Sequence, residues 1–555
     1  MRLRRMLGAA VALTIALALA ACSGLPMTSP VMPGRAPGTA QEVPDFVLRP
    51  DSPQRGATPQ EIVEGFIRAG SGPAGGWAVA REYLTPGASW NPLAAVTIDE
   101  GERVYSDAGL GGVTLALTQI AGVDASGAYS VADLGSALLD FRLEQSDGEW
   151  RISQAPDGVV LNQNVFANVY KRYQLMFFDD SWSTLVPDLR WFPTTNAAAR
   201  VTDTLVDGPS PWLAASVRTA IPDNVVPPGS VPVVSGVAQV ELGPDVVSLD
   251  QDTRDRMQTQ LETSLALAGV TEVQMTVAGA PLQGERLQKT ATGVDARALA
   301  LTDAGFGFLT SGALEPIDGL SDAITGLSST PLAIQVSPTQ DAAAVRLDNG
   351  AVVRVPADGP VSDVDQRPGM IDPTIDRYGW IWTVPRDSPT SILATSPDGE
   401  QVSITNGWGG ATAVTAMVAS RDGTRIAALV ESGGRTFVWV KGIIRQSDGT
   451  PAALGVELEL ASTAGQGTGL TWLDDATVGA LVLGADGPAT LEQPVGGPGS
   501  TVAAPIGVSS VSGSNQTTTV RLRGDDGALY VRRGTNWNQT ASGVLVLATQ
   551  QGPGR

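Results

Sequence analysis

The 555-residue chain has no histidine and one cysteine. Without histidine there is no Ser-His-Asp or Cys-His arrangement and no imidazole ligand for zinc, and a lone cysteine excludes an internal disulfide or a thiolate metal site. Lysine is nearly as scarce, occurring at Lys171, Lys289 and Lys441 only. None of the three follows a serine by three positions, so the Ser-x-x-Lys nucleophile is missing. Only Lys289 precedes Ser or Thr, and Gln288 stands where a phosphate-binding loop needs glycine. Basic residues number 36 against 57 acidic, with no basic stretch beyond the first five positions, so a nucleic-acid polyanion is repelled and nucleic acid is not an expected partner. The charged fraction is 17% and the hydrophobic fraction 43%, which points to a globular chain of about three domains. What is abundant is Gly, 64, and Pro, 38, between short Val/Leu/Ala-rich segments, the composition of turn-rich α+β and all-β structure.

Arg2, Arg4 and Arg5 precede an uncharged apolar run from Met6 to Ala21. The run is shorter than the ~20 residues of a membrane-spanning helix and has the layout of an export signal over residues 1–21. It closes with Leu19-Ala20-Ala21-Cys22, the lipobox pattern of bacterial lipoproteins. The small residues let the backbone enter a signal peptidase. The Cys22 thiolate is nucleophilic enough to take the S-diacylglycerol, and cleavage frees its amine for N-acylation, with palmitate a suitable acyl group. Two or three chains at about 0.8 kcal/mol per buried CH₂ make a lasting anchor in the cell membrane. Cleavage removes three arginines and no acid, so the net charge of −21 moves further negative. From Cys22 to Pro44, prolines 26, 30, 33, 37 and 44 with Gly24, Gly34 and Gly38 form a tether. At ~3.1 Å per residue in the polyproline form it reaches roughly 70 Å.

Three regions follow. Over 45–190, Thr58-Pro59-Gln60-Glu61 signals a capped helix start, with Ile62, Val63, Phe66 and Ile67 at helical spacing. A second helix is expected near Trp77 to Tyr83, and strands at 113–120, 128–134, 138–144 and 150–154, giving two helices on a curved antiparallel sheet of cystatin or NTF2-like form. The aromatic segment with Tyr170, Tyr173, Phe177, Phe178, Trp182 and Trp191 reads as core and interdomain contact, with a pocket lining as the alternative. Over 191–285, a helix with apolar positions at Met257, Leu261, Leu265 and Ala268 closed by Gly269, and strands at 238–242 and 273–277, make a compact α+β unit. Over 290–550, Asp-Gly turns at 318, 358, 398, 422, 448, 486 and 526 recur at steps several of which are near 40 residues. That is the length of one four-stranded blade, so the region is expected to be a β-propeller of five to seven blades, with an irregular sandwich as the alternative.

The order lipobox, Pro-rich tether, aromatic α+β domain, α+β unit and degenerate propeller resembles the LpqB family of actinobacterial lipoproteins. The residues carrying the resemblance are Leu205-Val206-Asp207-Gly208-Pro209-Ser210-Pro211-Trp212-Leu213, Ala220-Ile221-Pro222 and Gly269-Val270-Thr271-Glu272-Val273, similar to the GerMN module of sporulation proteins. In the propeller region they are Ile371 to Val384 and Ser420-Arg421-Asp422-Gly423-Thr424-Arg425-Ile426-Ala427, the latter similar to the S-x-D-G-x-x-I-A phrase of TolB-like propellers. The resemblance implies a non-enzymatic accessory of the MtrAB two-component system. Its implied partner is the extracytoplasmic domain of the sensor kinase MtrB, and its implied role lies in cell-wall and division homeostasis.

The residues themselves offer little chemistry. Gly305-Phe306-Gly307-Phe308-Leu309-Thr310 starts like a dinucleotide fingerprint but ends in Thr outside any βαβ unit, so no cofactor is expected. Acidic pairs Asp179-Asp180, Glu457 with Glu459, and Asp474-Asp475 are candidates for glycan cleavage, and loop or opposite-face placement argues against them. No D-x-D-x-D-G series marks a calcium loop, and no metal is expected. Trp380 and Trp382, two apart on an expected strand, share a face and are candidate contacts for a partner or for sugar rings, with packing between blades the more common role of such residues. A wall-glycan-binding or glycan-cleaving lipoprotein, with peptidoglycan as partner, is therefore the alternative reading.

Overall fold

The computed structural model describes residues 50–552, positions 311 and 464 apart. Leu19, Ala20, Ala21 and Cys22 and the tether lie outside the described residues. The first element begins as its sequence predicts. The Thr58 hydroxyl accepts the Glu61 amide while the Glu61 carboxylate accepts the Thr58 amide at 2.8 Å, a reciprocal cap that starts the helix Pro59–Ala69. Ile62, Val63, Phe66 and Ile67 are its buried stripe. The expected second helix, Ala74–Arg81, is broken: Gly75, Gly76 and Trp77 take positive φ, and the Trp77 indole donates to the Gly70 carbonyl at 2.8 Å. These elements pack on a five-stranded sheet ordered Glu149–Gln154, Tyr129–Ser146, Gly112–Asp124, Ala95–Gly109, Val159–Asn162. All pairs are antiparallel except the last. The two strands expected at 128–134 and 138–144 are one continuous strand, and Ala95–Gly109 is a strand the periodicity did not mark.

The expected boundary at 190–191 runs through a hairpin, Tyr170–Phe178 with Leu185–Pro193. Tyr170 and Trp191 belong to the first core. Tyr173, Leu175, Phe177, Phe178 and Phe192 belong to the second. Alternation sets Tyr170 apart from Tyr173, Leu175 and Phe177, and Trp191 apart from Phe192, whereas Phe178 at the strand end departs from it and joins the second core. The second domain adds the helices Ala197–Asp207 and Gln251–Leu265 and a four-stranded sheet. In that sheet Val237–Glu241 and Glu272–Val277 run parallel, flanked by the short strands Val233–Val234 and Ala280–Pro281. Asp250 caps the longer helix through the Thr253 amide, Met257, Leu261 and Leu265 are fully buried on it, and Gly269 at φ 78° turns the chain into the next strand.

From Ala298 onward the chain makes six four-stranded blades, within the expected five to seven. Blades two to six are formed in order by 331–365, 374–403, 413–463, 466–503 and 508–541. Blade one is a composite: the last strand, Val544–Gln550, pairs antiparallel with Ala298–Thr302, so the end of the chain closes the ring against its beginning. The Asp-Gly dipeptides of blades two to six mark turns, but at different corners. Those at 358, 398 and 448 join third to fourth strands, 422 joins first to second, and 486 and 526 join second to third. Of the steps near 40 residues, 358 to 398 and 486 to 526 join equivalent corners of neighbouring blades, whereas 318 to 358 and 448 to 486 do not.

Candidate functional site

The hairpin Tyr170–Pro193 is the joint of the molecule. Toward the first domain, Arg190 donates to the Ser126 hydroxyl at 2.7 Å and the Trp191 amide to the Gly127 carbonyl at 2.8 Å. Toward its own domain, Asp188, 2% exposed, accepts Arg190 and both the amide and the hydroxyl of Ser210, which fixes the Gly208-Pro209-Ser210-Pro211 turn. Toward the propeller, the Trp191 indole donates to the Gly496 carbonyl at 2.8 Å, and the buried Asp179 accepts the Tyr378 hydroxyl at 3.0 Å. Arg377 reaches the Thr184 hydroxyl. Burial, and then the Asp179 charge, raise the Tyr378 phenol well above its ordinary value, so it remains a donor.

A second set of contacts starts from the Ser-x-Asp-Gly phrase. Ser420 and Thr424 donate to Asp422, whose carboxylate pairs with Arg425, and both charged residues are buried. Arg425 stacks 4.8 Å above the Trp472 ring, donates to the Asp475 carbonyl at 2.6 Å and reaches the Pro187 carbonyl of the hairpin. Burial pushes the Asp422 carboxyl up, but Arg425 and the hydroxyl donors outweigh it and hold the group below the usual carboxylate range. Gly442 and Gly455 leave room for the Trp212 carbonyl, and a side chain at Gly442 would strike Ser216. The two domains thereby share one apolar core, running from Trp212 and Leu213 to Val438 and Val440.

Several expected contacts prove to be packing. Trp382 is fully buried with its indole on Asp376 at 3.0 Å, and Trp380 is 9% exposed in the same core as Trp408 and Trp439. Neither offers a face to a partner or a sugar, because Asp376 also accepts the Tyr378 and Trp380 amides and holds the turn with both rings inward. The aromatic segment is core, as its sequence predicts, and not a pocket lining: Tyr170, Tyr173, Phe177, Phe178 and Trp191 are all buried. The acidic pairs do not converge on a cleft either. Asp180 pairs with Arg218 at 2.8 Å, Glu457 with Lys441 at 3.6 Å, and Asp474 caps the Ala476 amide.

The sequence did not mark the buried side chains of Arg425, Arg421 and Arg445: Arg425 reaches the hairpin, while Arg421 donates to the Trp472 carbonyl and Arg445 pairs with Asp376 within the propeller. Their signal was an arginine inside or just after an Asp-Gly strand-turn-strand phrase, a place where solvated charge is the ordinary expectation.

A concavity of about 280 Å³ in the first domain is lined by Asp51, Arg68, Tyr83, Arg103, Asn162 and apolar residues. Gly101, at φ 74°, sits in an irregular stretch of strand Ala95–Gly109. Two positions on, Arg103 donates through Nε and Nη2 to the fully buried Asp99, each at 2.7 Å. No group of three or more acidic, His or Cys side chains suited to a metal occurs among the described residues. No helix among them is long and apolar enough to cross a membrane.

Comparisons with known proteins follow the same division. Residues 52–167 match the family described as "Lipoprotein LpqB, N-terminal domain", 174–283 "Sporulation and spore germination", and 304–546 "Lipoprotein LpqB beta-propeller domain". The chain is 26% identical to "Lipoprotein LpqB" of Rhodococcus opacus (strain B4), over 82% of this chain and 81% of that one. It is also 26% identical to "Lipoprotein LpqB" of Bifidobacterium longum (strain NCC 2705), over 85% and 84%. A solved structure of TolB from Acinetobacter baumannii overlaps 42% of this chain and 60% of its own, with 14% identity and a TM-score of 0.32. None of the three family descriptions names an enzyme.

Proposed function

The chain belongs to the LpqB lipoprotein family, and from that premise we propose that it is a non-enzymatic accessory of the MtrAB two-component system. In this reading diacylglycerol and acyl chains on Cys22 hold it at the extracytoplasmic face of the cell membrane. Its body meets the extracytoplasmic domain of the sensor kinase MtrB and modulates signalling in cell-wall and division homeostasis. One observation carries the reading: a lipobox cysteine and a Pro-rich tether lead into three modules joined through buried polar contacts. A tether that long confines the body to the space beside the membrane. A body so joined presents fixed surfaces, which a partner can recognise with little rearrangement.

The test is retention of residues 23–555 on the immobilised extracytoplasmic domain of the sensor. Specific, saturable retention is expected. No retention there, together with sedimentation of the protein with purified peptidoglycan, overturns the proposal in favour of a wall-glycan protein.

A further inference from the structure

Five of the six innermost propeller strands break register at one level. Leu332, Thr415, Thr468, Ser509 and Leu545 each fall between two paired residues and have no counterpart across the ladder. The sixth inner strand is only Thr374–Ile375, and Asp372 and Pro373 precede it. A bulge turns an extra side chain away from the ladder. One bulge is a local irregularity, whereas the same bulge in blade after blade constructs a rim. All five bulged residues and Asp372 line a single cavity of about 400 Å³ along the propeller axis, a size that small-ligand sites occupy.

The chemistry around the rim is sorted. Leu545 of blade one and Leu332 of blade two lie on adjacent strands, each side chain 47% exposed. Thr415, Thr468 and Ser509 put three hydroxyls on blades four, five and six. The Thr415 and Thr468 hydroxyls reach only backbone carbonyls, at 3.5 and 3.4 Å, too far for strong bonds. Ser510 Oγ, in the same lining, is buried with no hydrogen-bond partner among the described residues. Two arginines stand at the seams. Arg346 pairs with Asp372 at 2.7 Å. Arg523 donates to the Val544 carbonyl at 2.8 Å and to Ser509 Oγ at 3.3 Å, and has no carboxylate partner among the described residues.

The inner end has a polar floor. Gln335 Oε1 accepts the Thr374 hydroxyl at 2.8 Å and the Ile375 amide at 2.6 Å, and the Thr374 hydroxyl accepts the Ala419 amide at 3.0 Å. Gln551 donates to the Ala419 and Val336 carbonyls behind them. The cavity is therefore a floored funnel. It has one cation without a carboxylate partner and spare hydroxyls, a pair of leucines opposite them, and one acid already neutralised.

We infer that this funnel binds a small anionic sugar derivative. A carboxylate or phosphate sits on Arg523, ring hydroxyls on Thr415, Thr468 and Ser510, and the apolar ring face on Leu332 and Leu545. A cation finds no free acid here, and a purely apolar ligand would strand the hydroxyls. The site is separate from the sensor-docking proposal and stands if that one fails.

The test is calorimetric titration of the full chain in detergent micelles with glucuronate, glucose 6-phosphate, glucose and inorganic phosphate. At least one sugar anion is expected to bind, and which of the two binds tighter tells carboxylate from phosphate. Glucose and inorganic phosphate should each bind about tenfold more weakly, since each lacks one half of the recognition. Arg523→Gln should weaken the anion by about tenfold. Because Arg523 also holds the closing strand, Thr468→Val is the second variant. It keeps the shape and should cost about threefold in affinity at an unchanged melting temperature. Absence of binding by either sugar anion at millimolar concentration, equal binding of inorganic phosphate, or unaltered affinity in both variants overturns the inference.

Discussion

At the scale of single residues, a buried ion pair is costly to break, because removing one partner leaves the other charge uncompensated inside the protein. Asp422 is 2% exposed and Arg425 is fully buried, so Asp422→Asn leaves a guanidinium inside without its counter-charge. Loss of about 3–5 kcal/mol is expected, read as a lower denaturation midpoint. The sign of the pH dependence follows from the same pair. The Asp422 carboxyl is held below its unfolded value, so its stabilisation is fully present above that value, near pH 4, and is lost as pH falls through the folded one. Unfolding free energies measured from pH 7 down to pH 2 should fall more steeply for the native chain than for Asp422→Asn; parallel curves would refute this. The sequence marked Asp422 as a turn residue and could not mark it as a counter-ion, because Arg425 becomes buried only when the hairpin carbonyl of Pro187 and the Trp472 ring close over it. The same reason corrects Trp380 and Trp382: shared parity put them on one face, and packing made that face an interior.

At the scale of elements, legibility depended on how local the cause was. The capping box at Thr58 and the apolar stripe of Gln251–Leu265 are set within a few residues, and both appear as the sequence predicts. Strand Ala95–Gly109 was hidden because Asp99, Glu100, Glu102 and Asp107 mask its alternation, and only the ion pair of Asp99 with Arg103 makes burial of the first tolerable. The closing strand Val544–Gln550 was likewise invisible as a ring closure, since its partner lies at the other end of the propeller. It buries Val544, Val546, Leu547 and Ala548. Deleting residues from 544 onward should cost about 5 kcal/mol or more, comparable with the whole stability of a domain. The expected result is loss of cooperative thermal unfolding in the propeller, and a truncated chain that melts like the parent would refute the closure.

At the scale of the whole molecule, the shared core of second domain and propeller predicts one calorimetric transition for the two. Gly442→Ala pushes a methyl into Ser216 at their contact and should lower that transition by about 1–3 kcal/mol without splitting it. Separate peaks in the native chain would contradict the shared core. The anchor belongs to this scale too: Cys22→Ser should abolish lipid labelling and shift the protein out of the membrane fraction, and palmitate recovered in the variant would remove the basis of the membrane placement.

The sequence alone determined the order of the modules, their α+β and all-β character, the lipobox and the scarcity of ordinary catalytic groups, because composition, periodicity and short motifs are properties of neighbouring residues. Tertiary structure alone decided the six-blade count and the closure of the ring. It also decided the burial of the tryptophans, the joint at the hairpin and the bulged rim of the funnel. Each of these depends on residues far apart in the chain meeting, and contacts of that kind leave no local periodicity to read.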